Sequence, residues 1–362
     1  MQETILEIDL HKIRENARAF KRYTDRFTYA VVKADAYGHG SVAVANALQP
    51  IVDGFAVALV DEGLAIRQAA GGKEILVFSP PTSEEEVVIA ARGGCTLTAT
   101  DLRSARLITC AAEKYRLQVC VQVKVNTGMN RYGAYGSTLG RVCALLKRSG
   151  RICVRGVYSH LYSHDLSLCE EQRARFLHGV KICRNYFPLA RAHLASTFGA
   201  ALGREYLFDG VRIGLGLYGY FPEGDCPFAL QPAMRAYANC VAIHKVAFGG
   251  AGYGKKRKDL MGKRLSVLRC GYAEGLGVSA KDSGVLPPLQ GEICMDVSLA
   301  DKSFRLGQKV CLFSDAAAVA KERGGSVYEV LCRMSLRAKR VYVNGAPPSK
   351  KKSIEKRTSS EE

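Results

Sequence analysis

The chain has 362 residues, 48% hydrophobic and 24% charged, so it has the composition of an ordinary globular protein and is long enough for two domains. No apolar run approaches the roughly 18 residues of a membrane-spanning helix, and the N-terminal segment lacks a signal-peptide pattern. The 13 cysteines are odd in number and include no CxxC pair or metal-ligand spacing. We therefore expect a cytoplasmic protein with reduced thiols, no metal centre and no membrane association.

The formal net charge of +18 is spread along the chain. Residues 349–362 contain five basic and three acidic side chains, so they contribute +2 and the preceding residues +16. A positive field of this kind attracts nucleic acid or anionic ligands. Because the sequence has no helix-turn-helix pattern, RNP-like motif or zinc-finger spacing, we do not expect nucleic acid as a partner.

Short apolar runs alternate with amphipathic segments over the first 213 residues. A short strand ends at Asp9, which can cap a helix over residues 10–23. Strict alternation of strand and helix predicts a parallel sheet, and eight repeats predict a closed (β/α)8 TIM-like barrel. The predicted strands are 28–33, 54–59, 75–79, 96–100, 118–126, 156–160, 192–196 and 209–213. Helical segments are predicted between them at 41–48, 62–69, 83–92 and 102–113.

The pattern changes after about residue 228, where helical periodicity fades and short β-rich runs appear. We predict a barrel domain over residues 1–228 and a mostly β domain over 229–346, with which the N-terminal strand at 3–9 could also pack. The charged residues 347–362 are predicted to be disordered. The predicted strands of the second domain are 235–246, 265–269, 308–313 and 340–343, and its one clear helix is 326–334.

Polar side chains lie at or just after the carboxyl ends of the predicted barrel strands. Barrel enzymes build their active sites on this face. The loops after strands seven and eight commonly form a phosphate site, and here they contain Thr197 and the segment 214–216. A phosphate-bearing ligand is therefore expected. The polar residues placed in this way are Lys33, Lys124, His160, Ser196, Thr197 and Arg212.

Lys33 is the most informative of these residues, because it ends an apolar strand where an ammonium ion is costly to bury. A desolvated amine loses its proton more easily and can attack a carbonyl, which indicates Schiff-base chemistry. Tyr37 follows four residues later and could reach a ligand phosphate. The alternative is that Lys33 extends its amine to solvent from the mouth of the barrel.

Eight short motifs occur in the order found in one enzyme family. With them, the chain resembles the fold-type III, pyridoxal-phosphate-dependent alanine racemases over residues 6–343. The motifs are VKADAYGHG at 32–40, KVNTGMNR at 124–131, GVYSH at 156–160, VRIGLGLYG at 211–219, GYG at 252–254, GYAEG at 271–275, GEICMD at 291–296 and RVY at 340–342.

The resemblance implies two-base racemisation of alanine with pyridoxal 5'-phosphate as cofactor, supplying D-alanine for peptidoglycan. Lys33 would form a Schiff base with the cofactor and act on one face of the substrate Cα, and Tyr253 of the partner subunit would act on the other. A phenol is a poor base at neutral pH. A chain from Tyr253 through His160 to Arg212 would lower that barrier, and Arg212 would face the pyridine nitrogen.

The same resemblance assigns the remaining site residues. Because Tyr253 and the Met295 backbone N–H would come from another chain, it also implies a homodimer with shared active sites. The implied phosphate ligands are Tyr37, Thr197, Tyr342 and the backbone amides of Gly214 and Leu215. The other implied residues are Arg131 and Met295 at the substrate carboxylate, Tyr272 at the entrance, Lys124 as a carbamylated lysine that orients Arg131, and Asp296 as support for the partner-side loop.

Each residue also has a simpler explanation. Arg212 could be an ion-pair partner of Asp209 or Asp35. His160 could be a hydrogen-bonded histidine at the barrel rim, and Tyr253 part of a flexible glycine turn. Further residues of this kind are Tyr342, as core of the β domain, and His39 and His164, as histidines facing solvent or lying behind the site.

The sequence departs from the family pattern at a few positions. Asn126 stands where the family has aspartate, which removes a carboxylate near Lys124. The departures concern the entrance and the second domain more than the cofactor, and the alternatives are a serine or broad-specificity racemase, a non-catalytic cofactor-binding protein or a related decarboxylase. The other departures are Ser196-Thr197 for Asn-Ser, Glu274 for aspartate, Glu292 for arginine and a shortened segment at 276–290.

Overall fold

The computed structural model describes residues 4–253, 258–277, 287–334 and 337–344. Eight parallel strands close into a barrel in chain order, so the predicted fold class is confirmed. Closure is made by the last strand pairing with the first, which places Arg212 beside Tyr29. After β1 (Ile5–Asp9), the barrel strands are β2 Phe27–Val31, β3 Gly54–Val57, β4 Glu74–Val77, β5 Cys95–Ala99, β6 Val119–Lys124, β7 Ile152–Tyr158, β8 Arg191–His193 and β9 Gly210–Ile213.

Helices connect the strands. In the first helix, Ile13, Ala17 and Phe20 are buried at the spacing of one helical face, and the Asp9 side chain caps its N-terminus by accepting from His11 N at 3.0 Å. None of the described helices is long and apolar enough to cross a membrane. The helices of this region are Leu10–Thr24, Ser41–Leu48, Val60–Ile66, Glu84–Arg92, Leu102–Lys114, Gly136–Arg148, Leu166–Tyr186 and Arg204–Leu207.

The second half of the chain forms a seven-stranded sheet in the order β12-β13-β11-β10-β1-β15, with β14 also paired to β10. The N-terminal strand β1 lies inside this sheet, antiparallel to β10 and parallel to β15. The boundary at residue 228 stays a prediction, and the tail at 347–362 lies outside the described residues. The strands are β10 Met234–Lys245, β11 Arg264–Leu268, β12 Leu289–Gln290, β13 Ser298–Ala300, β14 Lys309–Phe313 and β15 Lys339–Val343.

The second half also contains two helices, Ala316–Arg323 and Val327–Arg333, so the prediction of a single clear helix there was wrong. The missed segment reads AAAVAKER, in which small alanines give little contrast between a buried and an exposed face. Its start signal is clear in the structure, because Asp315 accepts a hydrogen bond from Ala317 N at 2.9 Å.

Lys33 is followed by a left-handed turn. The φ angles of Ala34, Asp35, Ala36 and Tyr37 are 50°, 50°, 55° and 53°. A left-handed conformation costs a residue with a side chain roughly 1–2 kcal/mol, so four in succession require external support. On the barrel side, Glu62 Oε1 accepts from Ala34 N at 2.7 Å.

Support also comes from the second sheet. Arg340 on β15 donates from Nε to Gly38 O at 2.8 Å, and its Nη2 lies 2.6 Å from Asp35 Oδ2. Asp35 in turn accepts from Ser41 N at 2.6 Å, which joins the turn to the next helix. The orientation of the segment between Lys33 and Gly40 therefore depends on a cation supplied by the other half of the chain.

His39 packs behind the same turn. Its ring is fully buried, stacks on Tyr218 at a centroid distance of 4.4 Å and donates from Nδ1 to the carbonyls of Ala36 and Tyr37, both at 3.0 Å. Burial lowers the pKa of His39 to about 4, so the imidazole is neutral at neutral pH. The sequence analysis expected His39 either to face solvent or to lie behind the site, and the structure shows the second position.

Arg340→Met should destabilise the protein by about 1–2 kcal/mol, because two charge-assisted contacts to the strained turn are lost. The measurement is the free energy of unfolding in urea. Arg235→Met is the matched control in the same sheet: Arg235 lies 3.8 Å from Glu7 and is 48% exposed, so the change should stay within about 0.5 kcal/mol. Equal losses in the two variants would show that Arg340 does not hold the turn.

Candidate active site

A cavity of about 710 Å³ opens at the carboxyl ends of the barrel strands, which is the size of a small-molecule site. Most of the residues predicted from the sequence meet here, although they come from the ends of five separate strands and the loops that follow them. Among the described residues, no group of three or more histidine, cysteine, aspartate or glutamate side chains could hold a metal ion. The predicted residues that line the cavity are Lys33, Tyr37, Lys124, Arg131, His160, Thr197, Arg212, Gly214 and Leu215.

Arg212 is the buried centre of the site, with 3% of its surface exposed. Its Nη1 donates to His193 Nδ1 at 2.8 Å and to His193 O at 2.9 Å. Its Nη2 donates to the carbonyls of Ser159 and Leu194, at 2.5 and 3.0 Å, and lies 3.4 Å from His160 Nδ1. Burial lowers the pKa of Arg212 to about 10, so the guanidinium is still charged at neutral pH.

The alternative in which Arg212 pairs with Asp209 or Asp35 was wrong. Asp209 pairs with Arg184 at 2.5 Å, and Asp35 pairs with Arg340. In the described part of the chain, the acceptors of the Arg212 guanidinium are all neutral. A buried cation without a carboxylate faces the cavity, which favours a ligand that presents a lone pair or negative charge.

His160 lies between Arg212 and the cavity. Burial, followed by the charge of Arg212, holds the pKa of His160 well below its usual range, so the ring is neutral. Because a guanidinium can only donate, His160 Nδ1 must accept, and the ring proton lies on Nε2. At 3.4 Å this hydrogen bond is long, but it fixes which nitrogen is available as a donor on the other side of the ring.

His193 was missed in the sequence analysis. It lies on β8 between the buried Ala192 and Leu194, and its ring is parallel to that of Tyr158 at a centroid distance of 5.2 Å. A histidine in an otherwise apolar barrel strand was the available signal, because it must find hydrogen-bond partners inside the barrel. That requirement alone does not identify Arg212 as the partner.

The two cavity lysines both have depressed pKa values. Burial lowers the pKa of Lys33, with the charge of Arg131 as the second cause. Burial, then Arg212 and Arg131, holds the pKa of Lys124 well below its ordinary value. Both amines are therefore neutral at a lower pH than a solvated lysine, and a neutral amine is the nucleophilic form.

Because residue 126 is asparagine and not aspartate, it offers no carboxylate to Lys124. The Asn126 side chain instead holds its own loop, because Oδ1 accepts from Gly128 N at 3.0 Å and Asn130 N at 3.2 Å. Lys124 Nζ lies 3.4 Å from Ser159 Oγ and 4.9 Å from the centroid of the Tyr158 ring. The substitution thus keeps the loop that leads to Arg131 and omits one negative charge.

The loops after β8 and β9 form a cradle of neutral donors. Thr197 Oγ1 accepts from Gly214 N and Gly216 N, both at 3.2 Å. The Tyr37 hydroxyl approaches Gly214 so closely that a Cβ atom there would lie 2.7 Å from it. Hydroxyl and amide groups without a carboxylate are the donor set that a phosphate requires, and so these residues fit the phosphate of pyridoxal 5'-phosphate.

Tyr342 and Tyr328 are the two candidates for a further phosphate ligand at the cradle. In the described structure, Tyr342 is not part of the cavity lining: its hydroxyl lies against Gly40, where a Cβ atom would be 1.9 Å away. Tyr328 lines the cavity instead, with its ring 5.8 Å from that of Tyr37. The phosphate role of Tyr342 stays a prediction, and Tyr328 is the candidate that the sequence analysis missed.

The predicted residues of the second half lie elsewhere. Tyr253 and Met295 are 66% and 52% exposed, Tyr272 is 37% exposed, and none of the three lines the described cavity. Their loops meet at one segment, since Tyr253 bridges to Glu292 and Tyr272 N donates to Cys294 O at 3.1 Å.

Asp296 helps to hold the end of that segment. Arg337 donates to Asp296 at 2.7 Å and to Glu274 at 2.7 Å, so the two carboxylates share one cation. The loops that carry Tyr253, Tyr272 and Met295 thus lie together on the surface of a single chain.

His164 lies at the edge of the cavity, where its Nδ1 pairs with Glu223 and its ring lies 4.4 Å from that of Phe198. It is therefore an exposed histidine, as one of the two expectations had it, and it is paired with Glu223 and not part of the Arg212 network.

Fold and site together define a (β/α)8-barrel enzyme in which a lysine of lowered pKa, a buried guanidinium and a cluster of hydroxyl and amide groups share one cavity. Residues 8–222 match the family model "Alanine racemase, N-terminal domain", and residues 233–342 match "Alanine racemase, C-terminal domain". The chain belongs to the alanine racemase family.

Individual alanine racemases are similar to this chain in sequence and in structure. The alanine racemase of Streptococcus uberis is 32% identical over 94% of this chain and 98% of its own length. The crystal structure of alanine racemase from Bacillus anthracis with bound L-Ala-P has a TM-score of 0.86, at 26% identity over 95% of each chain. That of Clostridium difficile alanine racemase also has a TM-score of 0.86, at 29% identity over 94% of this chain and 96% of its own.

Tyr328→Phe should weaken binding of pyridoxal 5'-phosphate about 10-fold, because its hydroxyl would donate to the charged phosphate and such a hydrogen bond is worth roughly 1.5–3 kcal/mol. Tyr342→Phe is the matched control and should change the affinity less than about 2-fold, since its hydroxyl lies against Gly40. The measurement is titration of the apoprotein with the cofactor. The reverse order of effects would restore Tyr342 as the phosphate ligand.

Proposed function

We propose that this protein interconverts L- and D-alanine with pyridoxal 5'-phosphate as cofactor. The observation that carries the proposal is one cavity that joins Lys33, an amine of lowered pKa, to the buried guanidinium of Arg212 and the cradle at Thr197. Membership of the alanine racemase family supports the substrate. A cofactor-binding protein without catalytic function is less well supported, because this chain also has the second sheet with Tyr253 and Met295.

The cofactor would be held by Lys33, by the hydroxyls of Tyr37 and Thr197, and by the amides of Gly214 and Leu215. Pyridoxal phosphate supplies an electron sink that makes the substrate Cα proton acidic. Arg212 would face the ring nitrogen. Because a guanidinium does not give up its proton readily, it limits how much charge moves into the ring, which favours return of the proton to Cα over side reactions.

Racemisation needs a proton acceptor on one face of Cα and a donor on the other. Lys33 would serve one face, because its lowered pKa leaves a larger fraction of neutral amine at neutral pH. Tyr253 of the partner subunit would serve the opposite face. His160 would donate from Nε2 to that phenol oxygen and stabilise the phenolate, since Arg212 occupies its Nδ1.

The substrate carboxylate would contact Arg131 and the backbone N–H of the partner subunit's Met295, with Tyr272 narrowing the entrance. Lys124 would carry a carbamate: its low pKa keeps the amine nucleophilic toward CO2, and the resulting anion would orient Arg131. We further propose that the protein acts in the cytoplasm and supplies D-alanine for peptidoglycan.

The purified, cofactor-loaded protein should racemise L-alanine at least about 10-fold faster than L-serine, measured as loss of optical rotation. Lys33→Ala should abolish racemisation and the visible absorbance of the covalently bound cofactor, while circular dichroism reports an intact fold. Faster turnover of serine would assign the broader or serine-specific activity. Bound cofactor without turnover of either amino acid would refute the racemase proposal.

We also propose a homodimer in which each active site is completed by the other subunit. The support is geometric: Tyr253 and Met295 are exposed together on one loop surface and lie outside the cavity of their own described chain. An exposed tyrosine and an exposed methionine on adjoining loops are placed where they could enter a neighbouring cavity.

Mixing the inactive variants Lys33→Ala and Tyr253→Phe should restore activity if the sites are shared. Half of the randomly mixed dimers contain both variants, and each of these has one intact site, so about a quarter of wild-type activity should return. The mixture is unfolded, refolded together and assayed with L-alanine. Lys33→Ala mixed with Lys33→Ala/Tyr253→Phe is the control and should stay inactive. No recovery in the first mixture would mean that each chain uses its own residues.

A further inference from the structure

A chain of polar side chains runs from Arg212 into the barrel interior, away from the cavity. His193 Nδ1 accepts from Arg212, and His193 Nε2 lies 2.6 Å from Gln122 Oε1. Gln122 Nε2 donates to Glu74 Oε1 at 2.9 Å. The chain therefore connects the cavity residue Arg212 to Glu74 at the start of β4, near the other end of the barrel.

The chain is shielded from water. Gln122 and His193 are completely buried, and the side chain of Glu74 is 7% exposed. Inside a barrel each of these groups must find its hydrogen-bond partner within the protein, because a buried polar group left unpaired keeps the full cost of its desolvation. Each hydrogen bond of this chain is therefore needed to satisfy a buried polar group.

The two ends impose one direction on every hydrogen bond. A guanidinium only donates and a carboxylate only accepts. Glu74 must receive the NH2 group of Gln122, so the Gln122 carbonyl turns to His193 and accepts from Nε2–H. The lone pair of His193 is then on Nδ1, where Arg212 donates.

We propose that Glu74 and Gln122 are positioning residues, which hold His193 as its Nε2–H tautomer and thereby hold Arg212 in its catalytic orientation. The opposite tautomer would point Nδ1–H at the guanidinium and require a flipped Gln122 amide, whose carbonyl would then face the Glu74 carboxylate. The effect on turnover rests on the proposed function, whereas the tautomer can be measured without it.

The surroundings of Glu74 supply matched controls. Arg191 Nη1 lies 3.6 Å from Glu74 Oε2, so Arg191→Met removes the ion pair and leaves the Gln122 contact in place. The Tyr29 hydroxyl donates to Glu74 Oε2 at 2.9 Å and accepts from Gln122 Nε2 at 2.9 Å. Tyr29→Phe therefore removes a side branch of the chain and not the chain itself.

The experiment is 15N NMR of the cofactor-loaded protein labelled on histidine, with the His193 signals assigned by their loss in His193→Gln. Wild-type His193 should be the Nε2–H tautomer alone. Glu74→Gln should add the Nδ1–H tautomer and lower kcat about 10-fold, the usual scale for losing an outer partner of a site residue. Arg191→Met and Tyr29→Phe should keep the single tautomer and stay within about 2-fold in kcat.

A rescue variant separates the effect of hydrogen-bond direction on kcat from the effect of side-chain packing. In Glu74→Gln/Gln122→Glu the carboxylate and the amide exchange places, so an acceptor-only group again faces His193 Nε2–H. The double variant should recover the single tautomer and most of kcat, whereas two packing defects would add. Should Glu74→Gln not fold, Gln122→Met takes its place with the same expected mixture of tautomers.

The proposal is overturned if Glu74→Gln retains the pure Nε2–H tautomer, if Arg191→Met shifts it equally, or if the exchanged pair gives no rescue. Failure of the racemase assignment would look different. In that case turnover would be absent in wild type as well, and the tautomer would still respond to Glu74 and Gln122.

Discussion

The structure around the cavity depends on one constraint, the burial of a guanidinium that has no carboxylate partner in the part of the chain that the structure describes. Arg212 cannot relieve this by losing its proton, since its pKa stays near 10. Carbonyl oxygens accept from it instead, and burial, followed by the charge of Arg212, lowers the pKa values of His160, His193 and Lys124. The positive charge is thereby kept for a ligand, and amines nearby are kept reactive.

The second constraint is the support of a strained backbone turn. Lys33 and Tyr37 flank a left-handed turn that side chains disfavour, and that turn is held by Arg340 from the second sheet. The β domain therefore does more than present Tyr253 and Met295. It supports the segment that follows Lys33, and the strand β1 joins the two halves by lying inside that sheet.

Much of the fold was predictable, because a barrel strand buried on both faces appears as a short apolar run and its connecting helix as a 3.6-residue period. The helix Ala316–Arg323 was missed since its alanines mask the period. His193 and Tyr328 were missed for another reason. Each is a single polar side chain in a segment without a distinctive motif, and its role depends on partners such as Arg212 and Tyr37 that lie far away in the chain.

By itself, the sequence determined the barrel, the β-rich second half and the residue types at the strand ends, because these follow from local periodicity and from short motifs. Only the tertiary structure decided which of two tyrosines borders the cradle, that Arg212 has neutral partners rather than Asp209 or Asp35, and that Glu74 and Gln122 stand behind His193. Hydrogen-bond direction and pKa are properties of a three-dimensional environment, and burial inside a closed barrel is what gives these contacts their energy.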